Sequence, residues 1–186
     1  MKQFKGRVIV PGTCTAEALV SHGGFNTLAS YQMALMFGDK KVKCGDQNNP
    51  DIYKQPMIGK ALCLPQTIGS TTGGMVLYTA CSVGKQPACM LFSMPIDSLA
   101  ASGAILGDVW TDAKMPVVDM LGEEFLDRVD GDGLIDRAAG ARFLAALVAD
   151  PAADGGEGVV LLDEGQCLLI LALRGELQIA LHGDVR

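Results

Sequence analysis

The sequence predicts an α/β fold: a parallel layer flanked by helices, with a second, smaller sheet beside it. Two observations carry this. Between residues 60 and 130, short continuous apolar runs alternate with helix-like segments. That is the pattern of strands buried on both faces and joined by helical crossovers. Both ends of the chain also hold strand-like runs, at 5–10, 158–163, 167–173 and 176–181, beyond what that layer uses. With 186 residues, 49% of them apolar, the chain is long enough and apolar enough for a packed core.

Taken in order, "KGRVIV" (5–10) alternates in part and is β-branched, so it reads as a strand. Pro11-Gly12 is a turn, after which Thr13 or Thr15 either caps a short helical turn or continues an extended segment. "SHGGFNT" is a loop broken by glycines. Residues 40–59, "KKVKCGDQNNPDIYKQPMIG", form a long polar loop with turns at Asp46 and Asn49-Pro50. Turn formation is the ordinary role of Asp46, Asn48, Asn49 and Asp51; a polar wall facing the Ser70 loop is the functional one.

"KALCLP" (60–65) is a buried strand ending at a proline. "GGMVLYTACSVG" (73–84) fits a helix whose apolar positions cover most of its surface. "ACMLFS" (88–93) and "MPVVDM" (115–120) are two more buried strands. Between them "PIDSLAASGAILG" (95–107) reads as a helix, with Pro95 near its start and Gly107 past its end. "GEEFLDRVD" (122–130) is a short helix with acids in its first turn, which suits the helix dipole. "DRVDGDGLID" resembles a calcium loop, but with Gly133 at the obligatory glycine, Arg128 and Ala139 fall on the first and last ligand positions. It is a polar turn. "AAGARFLAALVADPAADGGEG" (138–158) reads as an Ala-rich helix, a proline and a glycine-rich linker, and 159–186 as a separate strand pair.

Composition excludes several classes. The net charge is -6 with no basic cluster, which argues against nucleic-acid or anionic-membrane partners. "GVVLLDEGQCLLILAL" is interrupted by Asp163 and Glu164, so no membrane span is expected. The N-terminal apolar run is too short for a signal peptide, and a cytoplasmic protein is expected. Cysteines 14, 44, 63, 81, 89 and 167 lack C-x-x-C spacing and read as buried reduced thiols. With His22 and His182 far apart in sequence, no metal site is assigned to this chain.

The segment with chemical character is "PQTIGSTTGGMVLY" (65–78). It sets Ser70 between a buried strand and a helix start. The unpaired amides there carry partial positive charge and favour anions, an alkoxide included. Glycines let a substrate approach the backbone. The ordinary role of Ser70 is a helix N-cap. G-x-S-x-G and Walker A patterns are absent.

"FKGRVIVPGTCTAEALVS", "PMIGKALCLPQTIGSTTGG" and "LFSMPIDSLAASGAILGD", in this order, resemble the swivel domain, or small subunit, of aconitase X. The resemblance covers roughly residues 4–130 and divides the chain into a swivel domain, 1–135, and an extension of unassigned role, 136–186. It implies a swivelling β/β/α domain and a hydro-lyase active only with a large subunit, which carries the iron–sulfur cluster or metal. It implies Ser70 as catalytic base, with Gly69, Thr71, Thr72 and Gly73 at the substrate. The implied substrate is cis-3-hydroxy-L-proline or a phosphorylated mevalonate. Where archaeal members often carry an arginine ahead of the serine loop, this chain has Thr67 and Ile68, which favours the hydroxyproline. The competing expectation is a non-catalytic binding or assembly module with Ser70 as a cap.

Overall fold

The computed structural model describes residues 2–131, 144–149, 157–163, 168–173 and 176–181. Their elements are β1 (Lys2–Val10), β2 (Gly12–Val20), β3 (Phe25–Asn26), α1 (Thr27–Met36), β4 (Lys60–Leu64), β5 (Thr67–Ile68), α2 (Gly73–Ser82), β6 (Cys89–Phe92), α3 (Ser98–Trp110), β7 (Val117–Asp119), α4 (Glu124–Gly131), β8 (Leu144–Ala149), β9 (Glu157–Asp163), β10 (Leu168–Leu173) and β11 (Glu176–Leu181).

An apolar run leaves its backbone polar groups unpaired until a neighbouring strand takes them. Here β2, β4, β6 and β7 pair in parallel, which is the layer expected from residues 60–130 extended by one strand. The chain ends supply the rest. β1 runs antiparallel to both β7 and β9, and β8 antiparallel to both β2 and β9. The result is a closed barrel in the order β1-β7-β6-β4-β2-β8-β9. Closure pairs both edges of the parallel layer. A second small sheet, β3-β5, is parallel, and β10-β11 is an antiparallel pair.

The strands alternate sides, so the core has two shells. Leu62, Leu64, Met90 and Phe92 face outward against Tyr31, Leu77, Ala80, Ala100 and Ala104 of the helices. Ala61, Cys63, Cys89, Leu91 and Val118 face the barrel interior. Phe125, Leu126 and Val129 of α4 join this inner cluster, with Phe125 edge-on to Phe4 at 5.4 Å.

Several expectations are corrected. The Ala-rich stretch before Pro151, expected to be a helix, contains strand β8 instead. Alanine's helix preference is worth only tenths of a kcal/mol per residue, and β8 is paired along its whole length with β2 and β9. β8 and β9 lie after residue 136, in the part read from sequence as an extension, and both take part in closing the barrel. Of the two readings left open after Pro11, the extended one holds, as β2. α3 starts at Ser98, capped by Asp97, and Gly107 lies inside it rather than past its end. A Cβ on Gly107 would sit 2.8 Å from Cys81 Sγ, so that glycine serves the crossing of α3 over α2. α2 ends at Ser82, where Gly84 (φ 68°) takes the left-handed conformation and Lys85 N–H closes onto Ala80 O at 2.8 Å. α1 occupies a stretch that carried no sequence expectation; Asn26 Oδ1 caps it by accepting from Ala29 N at 3.1 Å. No helix among the described residues is long and apolar enough to cross a membrane.

Cys44, Cys63, Cys81 and Cys89 are buried free thiols, and Cys14 is half-buried; Cys167 lies outside the described residues. Burial pushes Cys63 well above its ordinary value of 9.0, and burial with Asp108 nearby pushes Cys81 up to about 11. Burial, then the Cys81 and Cys44 thiols, push the Tyr31 hydroxyl above 10.0. These groups stay protonated in the fold and lose protons more readily in the unfolded chain. Their contribution is therefore complete below about pH 9 and falls as pH rises through 9 to 11. Denaturant midpoints taken from pH 8 to pH 11 should decline steadily above pH 9; a flat profile would contradict the burial of these thiols.

Candidate active site

The candidate site lies where the parallel strands end. After β4, Pro65 stops the strand, and the chain adds β5 alongside β3, with Phe25 N–H donating to Gln66 O at 2.9 Å. Gly69 follows at φ 102°, and a Cβ there would lie 2.8 Å from the Asn26 side chain. Glycine is required on both grounds.

The next residues form a tight turn ahead of α2. Gly73 N–H donates to Ser70 O at 2.9 Å, Thr72 N–H donates to Ser70 Oγ at 3.2 Å, and the Ser70 and Thr72 hydroxyls share a bond of 2.8 Å. The N-cap of α2 is Thr72, and no side chain caps that helix. Ser70 therefore stands ahead of the cap position. Ser70, Thr71 and Thr72 are exposed, while Gly73 is buried.

Ser70 opens on a cleft of about 210 Å³. One wall is Thr67, Ile68 and Gly69; the others are the first residues of helices, Thr27 of α1, Gly73 of α2, and Asp97, Leu99 and Ala100 at the start of α3. Three helix N-termini thus meet there, each a source of partial positive charge. Asn26 caps α1. Asp97 caps α3, its Oδ1 accepting from Leu99 N at 2.8 Å and Ala100 N at 3.0 Å. α2 alone of these has its N-terminus without a side-chain cap. Sequence reasoning placed Ser70, Gly69 and Gly73 here, and the fold brings all three to the cleft. Thr71 and Thr72 are exposed beside them and are not among the cleft walls.

Asp97 carried no sequence expectation, and Thr67 only that of standing where an arginine is often found. The Thr67 hydroxyl donates to Asp97 Oδ2, tying β5 to the start of α3. The signal was present: an aspartate before Ser-Leu-Ala-Ala is an N-cap pattern. From beneath, the wholly buried Asp119 fixes the same segment. It accepts from Ile96 N at 2.9 Å and from Arg7 Nε at 3.0 Å and Nη2 at 2.6 Å. The Asp119 carboxylate raises the pKa of the Arg7 guanidinium through that hydrogen bond and its charge.

The polar loop 40–59 is not a wall of this cleft. Asn49, buried, accepts from Ser21 Oγ at 3.0 Å, and Asp51 Oδ2 accepts from His22 N at 2.8 Å. The loop braces the segment leading into β3, one strand away from Ser70. Asp46 Oδ1 takes Asn48 N–H at 3.0 Å, an ordinary turn.

Among the described residues no group of three His, Cys, Asp or Glu side chains is placed to hold a metal ion.

Comparison with known proteins agrees with this architecture. A family profile described as the aconitase X swivel domain matches residues 3–141. The phosphomevalonate dehydratase small subunit of Thermococcus onnurineus is 30% identical over 117 residues, covering 63% of this chain and 79% of that one. Its counterpart in Methanocaldococcus jannaschii is 29% identical over 134 residues, covering 70% and 92%. The crystal structure of Thermococcus kodakaraensis aconitase X in its holo-form superposes with a TM-score of 0.60 at 25% identity, covering 87% of this chain and 99% of that one.

Proposed function

The chain belongs to the aconitase X swivel-domain family, and from that premise we propose that it is the small subunit of a dehydratase, with Ser70 as its catalytic base. The observation that carries the reading is the placement of Ser70. Its hydroxyl is exposed on a glycine-bounded turn, in a cleft where three helices begin and one N-terminus is left uncapped.

Removing water from a hydroxy acid requires a base for a carbon-bound proton and assistance for the departing hydroxide. Ser70 Oγ, as alkoxide, takes the proton, and the electron pair of that C–H bond becomes the new double bond. A free serine is far too weak an acid to serve unaided. The Thr72 amide, which donates to Ser70 Oγ, and the uncapped end of α2 offset the charge on its oxygen, while the Ser70 and Thr71 amides beside it can hold the substrate carboxylate. Assistance for the hydroxide, and the iron–sulfur cluster or metal, belong to a large subunit. Exposed Ile68 and Leu99 on the cleft walls and Met75 in the first turn of α2 give that partner an apolar rim.

The favoured substrate is a small hydroxy-amino acid of the cis-3-hydroxy-L-proline type. No lysine or arginine is among the cleft's described wall residues, and phosphate recognition favours such groups. Phosphomevalonate is the second reading, favoured by the names of the relatives above. The test is to purify the chain with its large subunit and assay both compounds. Turnover of cis-3-hydroxy-L-proline is expected. Turnover of phosphomevalonate alone would move the assignment to the second reading, and activity of the chain without a partner would refute the shared site.

A further inference from the structure

Asp97 is a charged group standing in the cleft without a countercharge. It is exposed and lines the same cleft as Ser70. Its bonds account for three acceptor positions: two on Oδ1, from the Leu99 and Ala100 amides, and one on Oδ2, from Thr67. A carboxylate has about four such positions, so one on Oδ2 is open. Among the described residues no lysine or arginine forms an ion pair with it. The three bonds fix the carboxylate rigidly, since they join it to β5 on one side and to the first turn of α3 on the other. Asp97 therefore places a preset negative charge on one wall of the cleft, opposite in sign to the uncapped start of α2.

We propose that Asp97 determines specificity by the charge of the substrate: its free Oδ2 position receives the ammonium of a cyclic or acyclic hydroxy-amino acid and disfavours a dianionic phosphate. The substrate's carboxylate and its ammonium would then have separate receivers, the uncapped start of α2 for the first and Asp97 for the second. Ammonium-to-carboxylate hydrogen bonds are among the stronger ones. A phosphate brought to the same wall would meet a like charge, which is unfavourable at hydrogen-bonding distance. This inference rests on the Ser70 cleft being the substrate site.

The test uses the complex of this chain with its large subunit and two matched probes. L-proline carries an ammonium; pyrrole-2-carboxylate has the same ring size and carboxylate without it. Asp97→Asn keeps a good helix cap and nearly the same shape while removing the charge. Calorimetric affinity for L-proline should fall about tenfold, the equivalent of roughly 1.4 kcal/mol, and affinity for pyrrole-2-carboxylate should hold or rise. With cis-3-hydroxy-L-proline as substrate, KM should rise more than kcat falls. Asp97→Ser, which also caps, should act in the same direction and guards against a folding defect in the first variant. Equal losses for both probes would reduce Asp97 to a cap, and unchanged affinity for both would also overturn the proposal. A complex that loses L-proline selectively in Asp97→Asn yet dehydrates neither candidate compound would support this inference while refuting the dehydratase reading.

Discussion

Replacing Ser70 with alanine is expected to lower turnover of the reconstituted enzyme by about a thousandfold, within the range for loss of a positioned base. Stability should change by no more than about 0.5 kcal/mol, as at ordinary surface positions. The second half of this expectation follows from the geometry. The Ser70 side chain is exposed, it bonds only to the neighbouring Thr72 hydroxyl and amide, and it is not the cap of α2. A role confined to structure would give the opposite pattern, a lower melting temperature with turnover intact. Kinetics on the assembled complex and a thermal melt of the isolated chain separate the two. Near-wild-type turnover would sink the assignment of Ser70 as base.

The second large effect lies at the crossing of α2 and α3. A methyl group on Gly103 would collide with the carbonyl of Gly74, and one on Gly74 with the carbonyl of Leu99. Both obstacles are backbone, which has no rotamer by which to move aside. Gly103→Ala is therefore expected to cost about 3 kcal/mol, at the upper end for overpacking. For a chain of this size that lowers the melting temperature by roughly 6–12 °C. Gly73→Ala is the contrasting case. Its added methyl meets only Thr27, at 3.7 Å, so stability should be nearly unchanged. A Gly103→Ala chain as stable as the parent would mean that the two helices cross less closely than described. The crossing also sets the span between Gly73 and Asp97, so the variant should lose activity beyond its loss of stability.

Much of this was legible in the sequence, for identifiable reasons. β4, β6 and β7 are buried on both faces, so each reads as an unbroken apolar run. The serine turn is marked by its glycines, one of which the backbone requires at φ 102°. α1 gave no signal because its pattern is reversed. Thr27 and Ser30 are buried, while Met33, Met36 and the following Phe37 are exposed. β8 was misread because alanines suit a helix locally, and only its distant partners in β2 and β9 decide otherwise. The cap role of Asp97 is legible locally, but its tie to Thr67, thirty residues earlier in the chain, is not. Local pattern shows what a segment can be, and these three depend on what arrives from elsewhere.

Barrel closure also has a consequence in time. Lys2 pairs with Leu162, and Gly12 with Ala149. β1 and β2 therefore leave the ribosome well before β9 and β8, the last two strands of the barrel in sequence order. At the usual 5–20 residues per second that interval is roughly 8–30 s. Throughout it, β1 and β2 each keep an edge that no part of the nascent chain can yet cover, and a chaperone or a neighbouring strand competes for them. The cleft is assembled from residues 27–100, so its parts emerge long before the ring that encloses the core is sealed.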